Sequence, residues 1–113
     1  MKTSNKLPAR VKRNASFIKL LIQAKPRMIK QYVKHASKDQ ISCLLDCCLN
    51  VLKGNVHVTP CQMRNLRRHK NNLLTVVKKK TADKKRRAIS QKGGFLGAIL
   101  KPVVQTVGAL LGL

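Results

Sequence analysis

Apolar residues recur at helical spacing along four stretches of this chain. Phe17, Leu20, Leu21 and Ala24 share one face of a short helix over 17–24, with Ser16 placed to cap it. Pro26 suits the first turn of a second helix over roughly 26–35. There Met28 with Tyr32, and Ile29 with Val33, form apolar i,i+4 pairs. Ile41, Leu44, Leu45, Cys48, Leu49 and Leu52 make a wide stripe on a longer helix, about 38–53. Ser37-Lys-Asp-Gln40 is a capping box at its start, Asp39 sits where the helix dipole favours an anion, and Gly54 closes it. Thr59 as N-cap, Pro60 at the first helical position and Gln62 open a fourth helix. Met63, Leu66, Leu73, Leu74 and Val77 carry that helix to about residue 79. The pattern predicts an all-α fold without sheet: a small helical domain over 15–80, built on an αα-hairpin of the two capped helices, with the short helices covering its apolar side.

The flanks read differently. Residues 1–14 are expected to be a disordered basic arm, with Lys2, Lys6, Arg10, Lys12 and Arg13 self-repelling and Pro8 opposing helix. Residues 81–94 form a basic extension, helical on a polyanion and frayed without one, ending in a flexible Gly93-Gly94 joint. Residues 95–113 are an apolar tail with a single charge, Lys101. As one helix the tail would span roughly 28 Å, near the thickness of a bilayer core. Lys101-Pro102 near its middle opposes a clean span. The favoured reading is a kinked interfacial segment touching lipid through Phe95, Leu96, Ile99, Leu100, Val103, Val104, Leu110 and Leu111. Folding back on the helical domain, self-association and a true transmembrane helix are the other readings.

Charge sharpens this picture. The 113 residues carry 25 Lys and Arg against three acids, a formal net charge of +22, and only 3% aromatics. One small domain with tails fits that length. Such self-repulsion weakens a compact state unless a polyanion neutralises it, so nucleic acid or an anionic membrane surface is the expected partner. Twelve of the 25 basic residues lie between Arg64 and Lys92, beside one acid, Asp83. Arg64, Arg67, Arg68, Lys70, Lys78, Lys79, Lys80, Lys84, Lys85, Arg86 and Arg87 are the candidate contacts to duplex phosphates, giving affinity without sequence choice. A helix-turn-helix with Arg64, Asn65, Arg67 and Arg68 opening a reading helix is the sequence-specific alternative. The runs 78–80 and 84–87 also have the form of a nuclear import signal.

Other chemistry is thin. Three acids leave almost no material for general acid–base work, and no Gly-rich phosphate loop or Ser/His/Asp set is present, so a non-enzyme without cofactor is expected. Cys43, Cys47, Cys48 and Cys61, with His57, lack a tetrahedral zinc spacing. They read as buried small hydrophobes and spare reduced thiols, because no signal peptide precedes them. His35, His57 and His69 suit solvated or phosphate-facing roles.

The basic block, the Gly-Gly joint and the Gly/Leu/Pro/Val tail over 84–113 resemble the precursor of adenovirus core protein X (mu). The stretches 41–56 and 59–70, with the Gln91-Lys-Gly-Gly-Phe-Leu96 junction, are similar to small basic proteins of Polinton-type elements and adintoviruses, a likeness covering most of 15–113. The chain departs from core protein X in carrying a helical domain and few arginines in its block. The resemblance implies a minor virion protein that binds and condenses double-stranded DNA in the virion core and host nucleus. It also implies cleavage between Gly94 and Phe95, after Gly93-Gly94, by an adenovirus-type cysteine protease. The tail would then act at membranes or on a capsid protein. A membrane-active, capsid-associated minor protein is the alternative function.

Overall fold

A computed structural model of the chain describes residues 8–54, 56–91 and 100–113, apart from the side chains of Pro26, Ser90 and Gln91. The described residues form helices α1 Ala9–Arg13, α2 Ala15–Gln23, α3 Pro26–Lys34, α4 Lys38–Leu52, α5 Pro60–Arg68, α6 Lys70–Val77, α7 Ala82–Gln91 and α8 Lys101–Leu110. No strand occurs among them, and the fold is all-α as the apolar periodicity predicts.

Helix α4 is the axis of the fold. Its start is the expected capping box: Ser37 Oγ accepts from the Gln40 amide at 3.1 Å, and Gln40 Oε1 accepts from the Ser37 amide at 2.9 Å. Its end is Gly54 at φ +83°, a left-handed residue that an added Cβ would strain. Between them Ile41, Cys43, Leu44, Leu45, Cys47, Cys48 and Val51 are all buried. The apolar surface therefore extends well beyond the predicted stripe, and α1, α5, α6, α7 and α8 all pack on this helix. A helix apolar on most sides belongs at the centre of a core.

The second capped helix is shorter than predicted. Thr59 and Gln62 form their box at 3.1 and 3.0 Å, but the helix breaks at His69, which ends α5 and begins α6. Six polar residues, Arg67 to Asn72, separate the buried Leu66 from the buried Leu73. No apolar seam holds that stretch straight. The bend lets α5 rest on α4 while α6 meets both α4 and α7. In place of a simple αα-hairpin, α4 faces two short helices.

Both flanks extend the core. Residues 1–7 lie outside the described residues, but residues 8–14 are not a free arm. Pro8 starts α1 instead of breaking it, accepting from the Val11 amide at 3.0 Å, and Val11 is fully buried. Arg10 and Arg13 reach the acids of α4. At the other side, α7 docks on α3, α4 and α6 with Ile89 buried, so the extension is anchored rather than frayed. The tail helix α8 packs chiefly on α2 and also on α4, burying Leu100, Val103, Val104 and Val107 in the same apolar cluster.

Lys101 and Pro102 explain how α8 docks. Pro102 lies in the first turn, where a missing amide hydrogen costs nothing. Lys101 Nζ donates to the carbonyls of Leu21, Ile22 and Ala24 at 3.2, 2.7 and 2.6 Å, at the C-terminal end of α2. Gly108 lies so near α2 that a Cβ there would overlap Ile22 Cδ1.

Candidate nucleic-acid interface

The interface is best built from the acids, because there are only three. Asp39 accepts from Arg13 Nη2 at 2.9 Å, Arg13 Nε at 3.3 Å and Asn14 Nδ2 at 2.8 Å. Those bonds, from Arg13 first and then Asn14, hold its carboxyl below the ordinary carboxylate range, and Asp39 in turn raises the Arg13 guanidinium. Asp46 accepts from Arg10 Nη1 at 3.1 Å. Asp83 pairs with Arg87 at 2.9 Å and with Arg86 at 3.6 Å. Exposed pairs of this kind add little stability. Their consequence is electrostatic: every carboxylate side chain of the protein is already matched to an arginine of α1 or α7.

What remains is a cationic surface on three consecutive helices. On α5, Leu66 turns inward and Met63 packs half-buried against the core, which leaves Arg64, Arg67 and Arg68 exposed. Lys70 is exposed at the start of α6, and Lys78, Lys79 and Lys80 are exposed between α6 and α7. Lys84 is exposed on the first turn of α7, where Thr81 Oγ1 accepts from its amide at 3.2 Å. None of these eight cations has an ion-pair partner among the described residues.

Three predicted contacts lie elsewhere. Lys85 is half-buried. Arg86 turns inward and donates from Nε to the carbonyl of Ala36, tying α7 to the α3–α4 junction. Arg87 is exposed but is engaged with Asp83. Three cations that the block overshadowed, Arg27, Lys30 and Lys34, are exposed on α3 at i, i+3 and i+7. That spacing is visible in the sequence once α3 is placed.

The tail residues proposed to touch lipid divide into groups. Leu100, Val103 and Val104 are buried in the core, Leu111 is half-buried and Leu110 is 37% exposed. Burial follows from α2, whose Ile18 and Leu21 offer α8 an apolar partner inside the protein. Phe95, Leu96 and Ile99 lie outside the described residues, as do Gly93 and Gly94 of the joint. No helix among the described residues is long and apolar enough to cross a membrane.

The thiols split the same way. Cys43, Cys47 and Cys48 are buried on α4, while Cys61 is exposed on the first turn of α5. Burial first, and the neighbouring Cys43 second, push the Cys48 thiol up to about 12. Cys47 is also raised, by its hydrogen bond with Cys43 and by burial. Both are protonated and unreactive at neutral pH. Among the described residues no group of three His, Cys, Asp or Glu side chains is gathered to hold a metal. His35 and His57 are exposed, and His69 is half-buried at the α5–α6 bend. Compared with protein-family models, with curated proteins and with solved structures, the chain finds no match.

Proposed function

We propose that this protein binds double-stranded DNA without sequence preference and condenses it. The observation that carries the reading is the distribution of counter-ions. All three acids are matched to arginines, and eight exposed cations from Arg64 to Lys84 have no ion-pair partner among the described residues. Duplex DNA presents one negative charge per about 1.7 Å and releases its condensed counter-ions to such a surface. Reading of splayed single strands needs exposed aromatic platforms. Among the described residues the aromatics are Phe17, which is buried, and Tyr32, which is half-buried, and this favours a duplex.

With the likeness to adenovirus-type core proteins, the role is packaging of viral DNA in the virion core, with passage through the host nucleus. Gly93-Gly94-Phe95 is the corresponding protease site. A membrane-active or capsid-docking tail is the less supported alternative, because Leu100, Val103, Val104 and Val107 are already occupied inside the fold.

The test compares the full chain with an R64Q/R67Q/R68Q variant on several unrelated duplexes across a salt series. The expected result is equal affinity for all sequences, with log K falling linearly in log salt. The variant should weaken binding uniformly and flatten the slope by about one per arginine. Loss confined to one sequence would instead identify a helix-turn-helix regulator, and an unchanged slope would remove α5 from the interface.

A further inference from the structure

We propose that α3 is a second phosphate-binding face, so that one chain holds two duplex segments at once. The inference rests on the DNA-binding reading above and adds valency to it. On α3, Ile29 and Val33 are buried and Tyr32 is half-buried, and this apolar side rests on α7. Arg27, Lys30 and Lys34 lie exposed on the helix surface, a stripe about 10 Å long at the helical rise. Lys25 and Lys38, both exposed, extend the charge beyond either end. Like charges three and four residues apart oppose a helix, and an isolated surface helix ordinarily interleaves acids to relieve them. Helix α3 has no acid, and the acid nearest in sequence, Asp39, is held by Arg13 and Asn14. An anion from outside the protein is therefore the partner this stripe lacks.

The packing order separates the stripe from the arginines of α5. Helix α3 rests on α7, α7 rests on α4 and α6, and α5 rests on α4 and α6. In packing order, α7 and then α4 or α6 thus come between the α3 stripe and the arginines of α5. A duplex lying on one leaves the other for a second segment, and joining duplex segments is what condensation requires of each bound chain.

The experiment uses the full chain with two duplexes, one carrying a donor dye and one an acceptor. Binding to a single duplex is read by anisotropy, and bridging by energy transfer between duplexes. R27Q/K30Q/K34Q is compared with K12Q/K19Q/K53Q, which removes the same charge from exposed positions elsewhere. Glutamine keeps helix propensity, and thermal melts of both variants verify the fold. The two variants should bind one duplex within about threefold of each other, as equal losses of charge dictate. Energy transfer should fall to background for the α3 variant alone. Bridging that survives the α3 substitutions, or that both variants lose equally, overturns the second face. A parent chain that binds one duplex but never bridges overturns it as well, leaving the function proposed above intact. A parent that binds no duplex removes both.

Discussion

Replacing Lys101 by methionine should destabilise the whole fold by about 2 kcal/mol. Its ammonium donates to three carbonyls at the end of α2. The Leu21 carbonyl also receives the Ala24 amide at 3.3 Å, but for Ile22 and Ala24 the described donor is Lys101. A hydrogen bond to a charged group contributes ~1.5–3 kcal/mol, and a cation at a helix C-terminus adds ~0.3–1 kcal/mol. Two such bonds at the lower figure, with the dipole contribution, approach 3.5 kcal/mol. Water reaches this half-buried site and replaces part of that, which brings the loss to about 2 kcal/mol. Methionine keeps the apolar stem, so packing against α2 is little changed. For a domain of this length the melting temperature should fall by roughly 8 °C. Thermal unfolding followed by far-ultraviolet circular dichroism measures it, with Lys30→Met as the exposed control. If Lys101→Met melts with its control, the ammonium is not what fastens α8 to α2, and the account of the tail fails.

Three further outcomes are expected. A fragment of residues 1–99 loses the burial of Leu100, Val103, Val104 and Val107, each contributing ~1.5–3 kcal/mol. That sum rivals the whole stability of a small domain, ~5–15 kcal/mol, so the fragment should show no cooperative melt; one resembling the parent's would contradict the packing. At pH 8 a thiol reagent should titrate Cys61 quickly in the native chain and reach Cys43, Cys47 and Cys48 only after denaturation, whereas four equal rates would refute a closed core. The depressed Asp39 carboxyl contributes stability that is present above its ordinary value of 3.8 and lost as pH falls through its lower folded value. Asp39→Asn should therefore melt below the parent at pH 7, with the gap narrowing as pH falls below 3.8, and a gap that stays constant in acid would speak against the Arg13 and Asn14 contacts as its source.

The local features were readable because each is written in a few adjacent residues. Both capping boxes, the proline start of α3 and the glycine end of α4 stand where their chemistry puts them. The tail was not readable in that way. Hydropathy measures only reluctance to face water, and Val103 or Val107 satisfies it equally well in lipid or in the protein's own core. What distinguishes the two is a long-range fit: an ammonium at three distant carbonyls and a glycine beneath Ile22. The inward turn of Arg86 was hidden for a related reason, since charge runs count cations without showing which of them meet a carbonyl. The breadth of the α4 core exceeds its leucine stripe because Cys43 and Cys47, small apolar side chains off that stripe, are buried with it.

The pairing of α2 with α8 also dictates an order of events in the cell. It joins residues that stand 77 to 80 positions apart, with α3 to α7 made after α2 and before α8. During translation Ile18 and Leu21 lack the cover of α8 until that helix leaves the ribosome, so this seam closes late. Contacts so distant form slowly and keep the intermediate prone to aggregation. A nascent chain that is both open and strongly cationic invites chaperones and stray RNA alike. Synthesis that stalls or is cut before α8 should yield insoluble protein.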